Sequence, residues 1–381
     1  MRSYTTLVAV ILMMTVTGPG AWAGDQVIRI GVPTPLTGTY ASDAFGYRQC
    51  LAFAVQEIND GGGLLGKTLE MVPYDIGVFS PEKMLAAAVV LIDRENVDTV
   101  HAGWSGWGQN VRAFGKYSVP TFFADASISS IREYRKDSLQ YSNIFQMCDV
   151  EGPLAEGVLE MMNALPYQYR NRKMVTIVSD DEWGCQVGRA IDLHAPEKGW
   201  EVAMHEVVPY GISDWNALLA KIRKINPGWI HFEMVSPADV IAFMHQFKKA
   251  PTRSLINLGY GLMPPALIKT MGAEADGLLG KVVFTMPLPD GLAPQADAWL
   301  KTFRARYGNN PMAAGYLSYV SLKMWAEAVL QAKDEKAYGR INQILSQMTY
   351  RCVAGGVWTF DRDHKIPMSK NTPMLGMQVQ N

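Results

Sequence analysis

The sequence predicts an α/β protein of two doubly wound units with mainly parallel sheets, and three observations predict it. Short β-rich runs alternate with helix-length amphipathic segments, the signature of strands joined by crossover helices. The alternation pauses after Cys148 and starts again at Glu151. No Gly/Ser-rich or Pro-rich linker separates the two halves, so several strands should tie them together and let them hinge as rigid bodies. A chain of 381 residues suits two such units at about 150 residues per domain.

In the first unit, 27–32, 69–74, 97–102 and 120–123 read as strands, and 45–59, 81–93 and the segment after Gln109 as helices. Ser80-Pro81-Glu82 marks a helix start, with serine at the N-cap and proline where its missing N–H is not needed. The strand at 144–148 closes this unit. In the second, helices at 151–165, 184–194 and 215–225 alternate with strands at 174–179, 200–207 and 229–234. Ser213 is expected to cap the third of these helices, and Ser236-Pro237 opens a fourth that runs to Phe247. A strand near 282–285 leads into helices at 293–307, 312–332 and 338–348, followed by a β-rich tail.

Composition excludes several function classes. With 48% hydrophobic and 19% charged residues the chain is too apolar to be disordered. A net charge of -1 provides no basic field for a polyphosphate backbone, so nucleic acid is not an expected partner. At the N-terminus, Arg2, an apolar run from Leu7 to Val16, the helix-breaking Gly18-Pro19-Gly20 and then Ala21-Trp22-Ala23 read as a secretory signal cut after Ala23. The apolar run is too short to cross about 30 Å of hydrocarbon as a helix, which argues against an uncleaved anchor. No cysteine lies near the cut, so a lipid anchor is not indicated. Cys50, Cys148, Cys185 and Cys352 lie far apart without zinc-like spacing. Export permits disulfides, but a chain of this size does not need them, and spacing assigns no pairing.

Gly61-Gly62-Gly63-Leu64-Leu65-Gly66-Lys67-Thr68 satisfies the letters of a phosphate loop, but a helix precedes it and a strand follows. That is the reverse of what places backbone N–H groups and a helix N-terminus on phosphate, so the run reads as a glycine-rich helix stop and turn. Gly103-Trp104-Ser105-Gly106 resembles a nucleophile elbow except that Trp107 stands where glycine is required. The six histidines show no metal-ligand spacing, and no cofactor or metal is expected. Aromatic and polar residues do gather at the C-terminal ends of the predicted strands, where open α/β sheets bind ligands. These are Trp104 and Trp107, then Asp125, Ala126 and Ser127, then Trp183, Glu233 and Tyr260.

Ile30-Gly31-Val32-Pro33-Thr34-Pro35-Leu36-Thr37-Gly38, followed by Glu57-Ile58-Asn59-Asp60-Gly61-Gly62 and Leu65-Gly66-Lys67, resembles the N-terminal signature of type I periplasmic solute-binding proteins of the branched-chain amino-acid uptake class. The likeness continues through Val119-Pro120, Asp181-Glu182-Trp183-Gly184, Asp276-Gly277 and Gly356-Val357-Trp358-Thr359-Phe360-Asp361. It implies two α/β lobes joined by three crossovers, with lobe 1 from 24–146 plus 284–355 and lobe 2 from 147–283 plus 356–381, after a signal peptide at 1–23. It also implies closure on a small ligand, delivery to ABC permease subunits, a monomer and no catalysis.

Within that family a serine after the third strand and an Ala-Thr pair after the fourth hold the ligand carboxylate. Here the pair is Ala126-Ser127, while Trp107 stands at the serine position with Ser105 slightly earlier. Trp183 corresponds to the lobe 2 aromatic, and the family's acidic residue for the ammonium aligns near Tyr260. The expected ligand site is therefore Trp104, Ser105, Trp107, Ala126, Ser127, Trp183, Glu233 and Tyr260, together with Asp43. If Glu233 or Asp43 reaches the cleft, an amino acid or related amine or amide fits; if both turn away, an aromatic carboxylate held by Ala126 and Ser127 fits better. A periplasmic sensor for a receptor or regulator is the alternative to transport.

Overall fold

A computed structural model describes residues 27–380 except 39–40, 78–79, 104–107, 126, 235, 261–264, 284–293, 313–314, 354 and 370–373. In lobe 1 the chain runs β1 (Val27–Thr34), α1 (Ala41–Asp60), β2 (Thr68–Asp75), α2 (Pro81–Ala88), β3 (Thr99–Ala102), α3 (Gly108–Gly115), β4 (Thr121–Phe123), α4 (Ile128–Tyr134) and β5 (Ile144–Gln146). The strands form one parallel sheet in the order β2-β1-β3-β4-β5. β1 lies inside it and reads as a nearly unbroken buried run, whereas the edge strand β2 keeps most of its residues partly exposed. Ser80 caps α2 as the sequence predicts: its Oγ accepts the Lys83 N–H at 3.1 Å and Pro81 takes the first helical position.

The phosphate-loop look-alike is a turn between α1 and β2. Gly62, Gly63 and Gly66 all have left-handed φ values, and a Cβ on Gly63 would stand 2.2 Å from the Lys67 carbonyl oxygen. Lys67 Nζ pairs with Glu335 rather than pointing from a helix N-terminus.

Lobe 2 contains α5 (Glu151–Ala164), β6 (Lys173–Ser179), α6 (Glu182–His194), β7 (Glu201–Val208), α7 (Asn216–Ile225), β8 (Trp229–Glu233), α8 (Pro237–Lys249), β9 (Leu255–Leu258), α9 (Pro265–Met271) and β10 (Leu279–Val283). Then α10 (Pro294–Tyr307), α11 (Tyr316–Ala332) and α12 (Tyr338–Gln347) follow, with β11 (Thr349–Arg351), β12 (Val357–Thr359) and β13 (Met374–Gln378). The second sheet has the order β13-β10-β9-β8-β6-β7, parallel except for the antiparallel β10–β13 pair.

Three sequence expectations are corrected. Ser213 does not cap α7: Trp215 occupies the N-cap without a side-chain bond, and Asp214 Oδ1 accepts the Asn216 N–H at 2.9 Å instead. The strand expected near 282–285 begins at Leu279, which brings Lys281 inside the sheet. The change of lobe expected at 356 also falls too early. Trp358, Phe360 and Ile366 are buried in the same core as α1 and α11, and Ile366 N–H bonds to Gln146 O at 2.9 Å. Only at β13 does the chain join the second sheet. The segment from Phe360 to Met368 thus runs beside the β5–α5 crossover, and Asp149 ties the two by accepting from Lys365 Nζ and the Met368 N–H, each at 2.7 Å.

Candidate functional site

The C-terminal edges of both sheets carry the loops that form the site. In lobe 1, Asp75 fixes the loop after β1 by accepting from the Leu36 N–H at 2.8 Å and the Thr37 hydroxyl at 2.7 Å. Those hydrogen bonds hold its carboxyl down at about 2. The Tyr47 hydroxyl donates to Ala102 O at 2.8 Å, which anchors α1 to the end of β3. Trp104, Ser105, Trp107 and Ala126 lie outside the described residues, and so does the side chain of Asp43 in α1.

Ser127 is fully buried at the N-cap of α4, where its Oγ accepts the Ser130 N–H at 3.2 Å. The next amide, Ile128 N–H, donates to Glu151 Oε2 at 2.8 Å. A carboxylate of the protein itself therefore occupies one of the first free N–H groups of α4, from the opposite end of the first crossover. Neighbouring Asp125 is also engaged, accepting from Asn110 Nδ2 at 2.9 Å.

In lobe 2 the Asp181-Glu182-Trp183-Gly184 run explains itself locally. Asp181 caps α6, with Oδ1 accepting the Gly184 N–H at 2.9 Å and Oδ2 accepting from the Tyr210 hydroxyl at 2.6 Å. A Cβ on Gly184 would approach Ser179 Oγ to 2.6 Å, so only glycine lets the helix start this close to the strand. The cap fixes Trp183, whose ring packs against the core of α5 and α6 and against the large cluster that runs from Leu154 of α5 to α1 and α11. Its Nε1 is buried without a hydrogen-bond partner, and Lys281 Nζ stands 5.6 Å from the ring centroid.

Glu233 ends β8 with no exposed surface, and its Oε2 lies 3.1 Å from Lys281 Nζ and 3.2 Å from His231 Nε2. Burial works against its charge, but the Lys281 ammonium and the His231 ring outweigh that and hold the carboxyl well below the usual range. Gly259 provides the space, since a Cβ there would sit 1.8 Å from Glu233 Oε2. Glu233, the acid that would receive a cationic solute if it reached the cleft, is thus already paired with Lys281 inside the sheet. Tyr260 is buried just beyond β9.

The structure thus brings Trp183 and Glu233 together around Lys281, and places Ser127 beside Glu151. Lys281 and Glu151 are the charged side chains around which these residues gather. Neither residue is among those the sequence singles out. A lone lysine in the apolar run Leu278-Leu279-Gly280-Lys281-Val282-Val283 is a signal that could have found the first, since a buried cation needs a counter-ion. Glu151 is disguised as an ordinary acidic residue in a first helical turn. At the rim, Glu182 from lobe 2 lines a hollow with Arg112, Ser129, Arg132 and Glu133 from lobe 1.

The periplasmic binding protein family model matches residues 27–381. The chain belongs to that family. Its relatives include an amino acid binding protein of Pseudomonas aeruginosa, 25% identical over 304 residues that span 79% of this chain and 78% of that one. A Leu/Ile/Val-binding protein homolog of Brucella abortus is 22% identical over 95% of this chain and 91% of its own. A solved structure from Silicibacter pomeroyi, named as a branched-chain amino acid ABC transporter, superposes with a TM-score of 0.82 at 25% identity, covering 93% of this chain and 94% of that chain. This periplasmic binding protein accordingly has the two-lobed type I fold, acts outside the cytoplasm and belongs to a family of solute binders rather than of enzymes.

Proposed function

We propose that this periplasmic binding protein captures an amino acid or a related amine or amide between its lobes and hands it to the permease subunits of an ABC importer. It works as a monomer without catalysis, after export and removal of residues 1–23. The observation that carries the reading is Trp183, an aromatic side chain that the Asp181 cap fixes just past the end of β6, at the C-terminal edge of the second sheet. An aromatic wall at that edge excludes water from a solute only when the lobes are shut, so binding favours the closed form that a permease can recognise. The names of the Pseudomonas aeruginosa and Brucella abortus relatives point to amino-acid ligands.

Mass spectrometry of the solute released from freshly purified protein tests this, followed by titration of that solute back onto stripped protein. One small compound bearing an amine or amide, rebinding one to one, is the expected result. Release of only amine-free carboxylates would overturn the ligand class.

A further inference from the structure

Two acidic side chains lie buried beside the site, and they are not equivalent. Glu233 forms an ion pair with Lys281. Glu151, with only 2% of its surface exposed, makes no ion pair among the described residues. Its Oε2 accepts the Ile128 N–H at 2.8 Å, while its Oε1 is buried with no hydrogen-bond partner. An unpaired carboxylate oxygen away from water is costly, and the cost disappears when a donor arrives, above all a cationic one. Glu151 also occupies a strategic place: it begins α5 in lobe 2, yet its carboxylate reaches the first amide of α4 in lobe 1, next to Ser127.

We propose that Glu151 is the specificity-determining acid of the ligand site, its Oε1 accepting a hydrogen bond from the ammonium or amide N–H of the bound solute. The proposal rests on the amino-compound reading above and assigns its polar recognition to the crossover rather than to the end of β8. The Ile128 amide holds the carboxylate by its other oxygen and orients it. Glu182 from α6 and Arg132 from α4 are the charged groups that act on it, and the Cys148 thiol lies nearby in the crossover. Burial, helped by Glu182, raises the Glu151 carboxyl to about 7 against the pull of the Ile128 amide and its own. An ammonium at Oε1 favours the ionised form, so binding at or below neutral pH releases a proton.

The test is calorimetry on wild-type protein and Glu151→Gln, each titrated with the twenty amino acids, their primary amides and their amine-free carboxylate analogues. Glutamine keeps an oxygen for the Ile128 amide, and a melting curve checks that the variant is folded. For whichever amino compound wild type binds, Glu151→Gln should bind at least tenfold more weakly. Wild type should also release a fraction of a proton near pH 6.5, read from buffers of different ionisation enthalpy, and the variant should not. An amino compound bound equally by both proteins, or bound without proton release, overturns the role of Glu151 and leaves the proposed function standing. Wild-type binding of amine-free carboxylates alone, or of nothing in the panel, overturns both.

Discussion

Asp149 Oδ1 lies 2.7 Å from Lys365 Nζ, a contact that joins the first crossover between the lobes to the third. Both groups are largely buried, and Asp149 Oδ2 also accepts the Met368 N–H at 2.7 Å. Asp149→Ala orphans the Met368 amide at the hinge and leaves Lys365 with Asp361 alone, whose Oδ2 lies 3.1 Å from its Nζ. Because Lys365 keeps some contact with water, the expected loss falls below that of a fully buried pair, about 2 to 3 kcal/mol by urea denaturation.

Gly259 is expected to tolerate no side chain. The Cβ of Gly259→Ala would collide with a carboxylate that Lys281 and the sheet hold in place, so relief requires breaking the ion pair or shifting β9. A destabilisation of roughly 2 kcal/mol or more follows. Gly62→Ala serves as the comparison, because nothing lies near its added Cβ and only its left-handed φ is strained.

Stability should depend on pH through Glu151. Its carboxyl is raised to about 7 in the folded chain from 4.5, so the folded state binds more protons than the unfolded one between those values. The stabilising contribution is complete below about pH 4.5 and is lost as pH rises through about 7. Glu151→Gln, which does not titrate, should therefore gain on wild type between pH 5 and pH 8, by about 2 kcal/mol in paired unfolding curves.

All four cysteines are free thiols, with Cys50, Cys148 and Cys352 buried and Cys185 partly exposed. Burial pushes the Cys50, Cys148 and Cys185 thiols up, away from the reactive thiolate form. Reductant should leave the melting temperature unchanged. A thiol reagent should label native protein slowly and at Cys185 first, with the other three reacting only on unfolding.

Local chemistry made much of the fold legible in the sequence. Ser80 with Pro81, the glycines at 61–66 and the Asp181 to Gly184 run each specify their structure within a few residues. Where the deciding contact is distant, the sequence misleads. Trp358 looks like the start of the second lobe's tail, but its ring packs on Tyr316 of α11. Helices α4 and α9 are too short to show a helical period. For the site, Trp183 and Ser127 were visible as residues following strands, whereas the charge state of Glu233 depends on Lys281, 48 positions away. No local pattern carries that pairing.

The central claim is that the solute sits against Trp183 between the lobes, and calorimetry of Trp183→Ala with the solute identified by mass spectrometry tests it most directly. The account predicts a loss of affinity of tenfold or more, about 1.4 kcal/mol, in a variant that remains folded. Unchanged affinity in a folded Trp183→Ala would contradict the placement of the site.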